Sequence, residues 1–192
     1  MAHVVARLAS QNRHKLDELR DSLPDWEIEP IDADDWPEET GKTYAENALL
    51  KARFGRPLAA PGEWVLGEDS GIESAALDGA PGLHSARWAP HGDQADALLE
   101  RLEGEDDRRA RMVTALVALA PDGRELEVAG VLEGELARER RGQTGFGYDP
   151  IFIPAGYDRT VAELGETWKR EHSHRALAAK ALLEALRSGG TS

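Results

Sequence analysis

The first half of the chain alternates short apolar runs with segments of helical periodicity. Residues 3–9 form an apolar run typical of a buried strand, and Asn12 then occupies a helix N-cap position ahead of the stripe Leu16, Leu19 and Leu23. The same criteria predict strands over 27–31, 64–67, 111–120 and 126–136, a helix that begins at Thr43, and helices over 93–102 and 173–187.

The order of these elements indicates the fold class. Strands and helices alternate early, whereas the last two predicted strands follow each other directly and are joined at Asp122-Gly123, as in an antiparallel hairpin. A mixed sheet with helices packed on it fits this order better than a purely parallel sheet. We therefore predict an α/β fold and, at 192 residues, a single domain over 1–192.

Composition and charge narrow the possible functions. The chain has 41% apolar and 31% charged residues, no cysteine and a formal net charge of -13. Without cysteine, disulfides, thiolate metal sites and cysteine nucleophiles are excluded. The negative charge opposes binding to long nucleic acids, so we expect no nucleic-acid partner. A few converging cations together with Mg²⁺ could still hold a small anion.

The apolar stretches do not indicate a membrane protein. The longest, 112–120, is interrupted by Thr114 and is too short to cross a bilayer, so we expect no membrane span. The N-terminus lacks a cationic leader before an apolar core, and we therefore expect a cytoplasmic protein.

Three polar clusters carry candidate chemistry in the first part of the chain. Residues 10–15 lie where the first helix begins, and free N–H groups there favour an anion that Lys15 could also reach. The second cluster joins Glu38-Glu39 in an acidic loop to Asn47 and Lys51, which are four residues apart and share a helical face. The segment 68–71 places carboxylates after a predicted strand, where α/β proteins commonly bind ligands. A plain N-cap, a solvated helix face and a turn-rich loop are the ordinary alternatives.

The fourth cluster is a glycine-rich turn over 145–150, followed by Lys169 and by Ser173-His174-Arg175. Glycines let a backbone approach a flat ligand, an aromatic ring offers a stacking face, and the later cations offer donors to phosphate or base oxygens. A loop between two strands would look similar. His172 and His174 lack the further spaced ligands of a zinc site, and no serine has the setting of a nucleophile elbow.

Taken together, the clusters resemble the Ham1 family of nucleoside triphosphate pyrophosphatases, the inosine triphosphatases that clear non-standard purine nucleotides. The resemblance covers nearly the whole chain in the right order. It rests on Asn12-x-x-Lys15, Glu39-Thr40-Gly41, Glu46-Asn47-Ala48 with Lys51-Ala52, Asp69-Ser70-Gly71, Gly79-Ala80-Pro81-Gly82 with Ser85-Ala86-Arg87, 145–152, 160–164, Lys169 and Ser173-His174-Arg175. Three residues depart from the family pattern: Ser10 replaces the commoner threonine, Gln11 a glycine, and Glu68 the first aspartate of a frequent pair.

The resemblance implies an elongated mixed β-sheet flanked by helices, two lobes with a central active-site cleft, and a homodimer. It also implies hydrolysis of ITP, dITP or XTP between the α and β phosphates, with Mg²⁺ as cofactor. The products would be the monophosphate and pyrophosphate, and the biological role would be sanitation of the nucleotide pool.

The same resemblance assigns roles to residues. Those expected to bind the phosphates are Ser10, Gln11, Asn12, Arg13, His14, Lys15 and Lys51, with Ser70 as a further substrate contact. Those expected to surround the base and sugar are Phe146, Gly147, Tyr148, Asp149, Lys169, His174 and Arg175. Glu39 and Asp69 would hold Mg²⁺, whose preference for carboxylate and phosphate oxygens suits them.

Asp69, Lys15 and Lys51 are the predicted catalytic residues. The lysines would neutralise the leaving pyrophosphate, and Asp69 would activate the attacking water, either as general base or by holding the metal. Two other functions remain open: a related enzyme for another nucleotide, and a nucleotide-binding regulator without turnover. Retention of the carboxylates and both lysines favours an enzyme.

Overall fold

The computed structural model describes residues 3–89 and 91–189. Its strands are β1 (Val4–Ala9), β2 (Trp26–Pro30), β3 (Trp64–Ser74), β4 (Arg109–Leu119), β5 (Glu125–Leu136) and β6 (Phe152–Pro154). Its α-helices are α1 (Arg13–Ser22), α2 (Tyr44–Gly55), α3 (Gln94–Arg101), α4 (Val161–Leu164), α5 (Glu166–His172) and α6 (His174–Ser188), with short 3-10 helices at Arg56–Leu58, Ala75–Leu77 and Gly82–Arg87. Within those two ranges, none of the helices has both the length and the apolar character needed to cross a bilayer.

The sheet is mixed, and its strand order is β2-β1-β3-β4-β5-β6. β1 runs parallel to both β2 and β3, with Ala6 opposite Ile28 on one side and Trp64 on the other. β5 and β6 are antiparallel. β4 and β5 are neighbours joined by only five residues, a connection that permits only antiparallel pairing. The predicted α/β class, with a mixed sheet flanked by helices, is confirmed.

Two helix N-caps lie where the sequence predicted them. The side chain of Asn12 accepts a hydrogen bond from the backbone N–H of His14 and caps α1. The side chain of Thr43 accepts one from the N–H of Glu46 and caps α2. These bonds satisfy N–H groups that the first turn of a helix leaves without a partner.

The prediction that β3 ends before residue 68 is wrong. β3 extends over Trp64–Ser74, so Glu68 and Asp69 lie inside the strand. The error arises because Gly, Glu, Asp and Ser have low strand propensity, whereas here the neighbouring strand β4 continues the sheet. β1 ends opposite Gly67, and the two carboxylates therefore lie just beyond the carboxyl end of their parallel neighbour.

The described chain divides into two compact units. The first comprises residues up to 69, residues 114–130 and residues from 175 onward; the second comprises 70–113 and 131–174. The first has a core that includes Leu8, Leu19, Ile28, Leu116 and Leu182, and a smaller cluster of Ala48, Ala52, Val65 and Val117 under α2. The second has a core that includes Ile72, Leu98, Leu136, Phe152 and Val161. The single-domain organisation stays a prediction, and its boundaries at residues 1 and 192 lie outside the described residues.

Candidate active site

Close packing of α2 on β3 positions the candidate site in the first unit. A Cβ atom on Gly67 of β3 would lie 2.0 Å from the carbonyl oxygen of Ala48 and 2.6 Å from the nitrogen of Ala52, both in the backbone of α2. Only glycine lets the helix approach the strand this closely. Polar side chains of α2 consequently reach the two strand residues that follow Gly67.

Lys51 of α2 lies between two carboxylates. Its Nζ is 2.9 Å from Oδ1 of Asp69 and 2.5 Å from Oε1 of Glu39, and it also donates to the backbone oxygen of Glu68 at 3.1 Å. Burial acts to lower the pKa of Lys51, but the charge of Asp69 and the hydrogen bonds to Glu39 and Asp69 outweigh it and raise the pKa. The ammonium group is therefore charged and shared between the two acids.

Asn47 fixes the other oxygen of Asp69. The backbone N–H of Gly41 donates to Oδ1 of Asn47 at 2.8 Å, and Nδ2 of Asn47 donates to Oδ2 of Asp69 at 3.1 Å. Because a backbone N–H can only donate, this contact determines which end of the buried amide faces Asp69. The sequence motif contained Asn47 but did not indicate this role for it.

A second carboxylate, Glu68, is completely buried. Nζ of Lys15 lies 2.6 Å from its Oε2, Nε of Arg175 donates to its Oε1 at 3.1 Å, and the Thr114 hydroxyl lies 3.4 Å from the same oxygen. Nη1 of Arg175 also lies 2.6 Å from Oε2 of Glu18. Burial acts to raise the pKa of Glu68, but the charges of Lys15 and Arg175 outweigh it and hold the pKa well below its ordinary value.

These contacts form one ionic network within the first unit. Lys51 joins its two halves, since it binds both Asp69 and the backbone of Glu68. The network contains three cations and four carboxylates, so its formal charge is -1. Its members are Lys15, Lys51, Arg175, Glu18, Glu39, Glu68 and Asp69. A network with excess negative charge suits a bound divalent cation, while its lysines suit phosphate oxygens.

The two predicted metal ligands converge on one point. Oε1 of Glu39 and Oδ1 of Asp69 both approach Nζ of Lys51. Among residues 3–89 and 91–189, no group of three or more His, Asp and Glu side chains forms a ready metal cage. Mg²⁺ commonly takes one or two carboxylates and completes its shell with waters and substrate phosphates, so this donor set fits Mg²⁺.

The other predicted phosphate contacts surround the start of α1. Ser10 accepts a hydrogen bond from the backbone N–H of Asn12 at 3.2 Å, and the side chains from Gln11 to His14 are exposed. Ser70 follows Asp69 in β3 and is half-buried. Contact of these residues with a triphosphate stays a prediction.

In the second unit, the carboxylate of Asp149 binds the backbone of the glycine-rich turn to which it belongs. The backbone N–H of Phe146 and Nζ of Lys169 both lie close to Oδ2 of Asp149, at 2.8 and 2.7 Å. Gly145 has φ +78° and would place a Cβ only 2.2 Å from that oxygen, so the turn requires glycine there. Nζ of Lys169 lies 4.7 Å from the centre of the Phe146 ring, within cation–π distance.

The remaining residues predicted around the base differ in their contacts and in the unit to which they belong. The hydroxyl of Tyr148 donates to the backbone oxygen of Ser85 at 2.9 Å, and burial raises the pKa of Tyr148. His174 is buried, and Gly147 has φ +59°. Arg175 belongs to the first unit, where it contacts Glu68 and Glu18. Contact of these residues with a base stays a prediction.

Comparison with known proteins finds similarity along nearly the whole chain. The model of the Ham1 family matches residues 6–185. The dITP/XTP pyrophosphatase of Gloeobacter violaceus is 45% identical over 189 residues, which cover 95% of this chain and 94% of that protein. The dITP/XTP pyrophosphatase of Symbiobacterium thermophilum is 47% identical over 186 residues, or 93% of each chain. The structure of a HAM1 protein from Coxiella burnetii matches with a TM-score of 0.81 at 38% identity, covering 96% of this chain and 99% of that one.

Proposed function

The chain belongs to the Ham1 family, and from this membership we propose that it hydrolyses the non-canonical purine nucleoside triphosphates ITP, dITP and XTP. The bond cleaved is the one between the α and β phosphates, and the products are the monophosphate and pyrophosphate. The relatives that bear the name dITP/XTP pyrophosphatase support this substrate class. The observation that carries the proposal is the ionic network, in which Lys51 binds Asp69 and Lys15 binds the neighbouring Glu68.

The phosphate end of the substrate is assigned to the ionic network that contains Lys15, Lys51 and Asp69. Phosphoryl transfer depends on positioning and on neutralising charge on the phosphate oxygens, and Lys15 and Lys51 supply two ammonium groups for this. Glu39 and Asp69 would hold Mg²⁺, which neutralises polyphosphate charge when bound. Because Lys51 and Asn47 fix both oxygens of Asp69, the carboxylate enters the reaction already oriented, as general base or as metal ligand.

The base of the substrate is assigned to Phe146, Lys169 and His174. Phe146 would stack on the purine, since its ring is only partly buried and is held by the turn that Asp149 closes. Lys169 and His174 would offer donors to the 6-keto oxygen of the base. The amino group of adenine would face those donors without an acceptor, and such an unpaired polar contact disfavours binding of ATP.

A panel of nucleotides tests the proposal. We expect ITP, dITP and XTP to have the highest kcat/KM among ITP, dITP, XTP, ATP, GTP and UTP, with turnover lost when Mg²⁺ is chelated. A pyrimidine triphosphate with the highest kcat/KM would identify a different substrate class. Tight binding of ITP without release of pyrophosphate would identify a regulator instead.

We also propose that the protein is a homodimer, as the resemblance implies, and that it acts in the cytoplasm. Light scattering on the purified protein measures the first point directly. A molar mass of one chain at micromolar concentration would contradict the dimer.

A further inference from the structure

Residues 32–42 lie between β2 and α2 and include Glu39, one of the two proposed Mg²⁺ ligands. This segment falls within the described range 3–89 and has no helix or strand. Five of its first eight residues are acidic, so their like charges repel one another. Because regular backbone hydrogen bonding does not fix the position of Glu39, contacts with the neighbouring helix must do so.

The segment runs alongside α2 in the opposite direction. Its three contacts with the helix pair Trp36 with Phe54, Glu39 with Lys51, and Gly41 with Asn47. Forward along the segment, the partners therefore come from successively earlier turns of α2. These partners are spaced by three and four positions, so they share one face of the helix. Glu39 is thus held between an aromatic contact on one side and a backbone hydrogen bond on the other.

Trp36 is the one large apolar side chain of segment 32–42, and it is half-buried. The centre of its ring lies 5.2 Å from that of Phe54, and the two planes are tilted by 42°. Offset and tilted arrangements at this distance are favourable for aromatic pairs. Nε1 of Trp36 donates to the backbone oxygen of Ala33 at 3.0 Å, which orients the ring. Since Trp36 precedes Glu39 by three residues, its contact limits how far Glu39 can move from Lys51.

We propose that Trp36 is a positioning residue for the Mg²⁺ site: by packing on Phe54 it holds segment 32–42 along α2 and keeps the carboxylate of Glu39 near Asp69. The inference rests on the proposed function, because that function assigns Glu39 and Asp69 to Mg²⁺. Without the ring contact, Glu39 would leave its place in a fraction of the molecules. The apparent metal affinity falls in proportion to the fraction that keeps Glu39 in place.

Mn²⁺ is the appropriate probe, because it takes the same oxygen ligands as Mg²⁺ and its binding is measured by electron paramagnetic resonance without turnover. We expect Trp36→Leu to raise the Kd for Mn²⁺ by about 3- to 10-fold, the factor for loss of one aromatic contact. Trp36→Phe keeps a ring on Phe54 and should retain the wild-type Kd. The matched control is Trp64→Leu, which removes an indole that packs on Trp26 at the start of β3 and should leave the Kd unchanged. A wild-type Kd in Trp36→Leu would overturn the inference.

The Mg²⁺ dependence of ITP hydrolysis separates positioning from a general structural role. In Trp36→Leu, the Mg²⁺ concentration for half-maximal rate should rise by the same factor as the Kd for Mn²⁺. At saturating Mg²⁺, kcat should return close to the wild-type value, because the bound metal selects the molecules in which Glu39 is in place. A reduced kcat with an unchanged Mg²⁺ requirement would show that Trp36 only stabilises the fold, and the inference would fail.

A double-variant cycle tests whether the effect passes through Phe54. In a Phe54→Leu background, Trp36→Leu should cause no further loss of Mn²⁺ affinity, because its partner is already gone. Full additive loss would overturn the inference. If Trp36→Leu does not fold, Phe54→Leu replaces it, since it removes the other half of the same contact.

Glu39→Gln distinguishes failure of the inference from failure of the proposed function. It removes the carboxylate itself and should raise the Kd for Mn²⁺ more than Trp36→Leu does. An unchanged Kd in Glu39→Gln would overturn both the assignment of Glu39 to the metal and the inference. A raised Kd in Glu39→Gln with a wild-type Kd in Trp36→Leu would overturn the inference alone.

Discussion

Replacing Gly67 with alanine should displace the helix that carries Asn47 and Lys51. The new Cβ would lie 2.0 Å from the carbonyl oxygen of Ala48, whereas ordinary contact begins at 3.4 Å, so α2 and β3 must separate by about 1.4 Å. The overlapping atoms belong to the helix backbone, and no side-chain rotation relieves them. The hydrogen bond of 2.9 Å between Lys51 and Asp69 would stretch beyond normal range.

We expect kcat/KM of the Gly67→Ala variant for ITP to fall by about 10²-fold, because a misplacement of about 1 Å has effects of that size. The free energy of unfolding should fall by about 1–3 kcal/mol, as in other overpacked sites. The assay is release of pyrophosphate, with thermal unfolding measured in parallel. Gly92→Ala is the matched control, because a Cβ there would meet no atom of the described residues within 4 Å. Wild-type kcat/KM in Gly67→Ala would refute the reasoning.

Three further predictions concern single side chains. Asp69→Asn keeps the shape and removes the charge, so kcat for ITP should fall by about 10²–10⁴-fold; a loss below tenfold, measured by pyrophosphate release, would contradict a role at the reacting atoms. Phe146→Ala should raise the Kd for ITP by about tenfold or more through lost stacking; an equal loss for tripolyphosphate in calorimetry would contradict a role at the base. The pKa of Glu68 lies below its ordinary value of 4.5, so Glu68 stabilises the fold above that pH and loses this contribution as the pH falls. The free energy of unfolding, measured with urea between pH 3 and 7, should therefore fall less with decreasing pH in Glu68→Gln than in the wild type. The same pH dependence in both proteins would contradict this prediction.

The hydrophobic pattern was sufficient to predict the helices and strands that are long or clearly capped. The N-caps Asn12 and Thr43 start α1 and α2 as predicted, because a side-chain acceptor followed by an apolar stripe is a local signal. The end of β3 was not predictable, since residues of low strand propensity there are held by a neighbouring strand. β6 and α4 contain three and four residues, too few to show any periodicity.

The sequence identified residues of the candidate site but did not indicate which of them contact each other. Family motifs identified Lys15, Lys51 and Asp69, and the structure places all three in one ionic network. The contact between Arg175 and Glu68 joins residues 107 positions apart, and it forms only because the fold brings these two residues together in the first unit. Spacing along the chain carries no information about such a contact.

The position of bond cleavage in ITP tests the central claim most directly. Phosphorus NMR of ITP incubated with the wild-type protein and Mg²⁺ should show IMP and pyrophosphate as the first products, and neither product should form at a comparable rate with Asp69→Asn. Inorganic phosphate with IDP as the first products would contradict the claim that Asp69 and its lysines direct hydrolysis to the bond between the α and β phosphates.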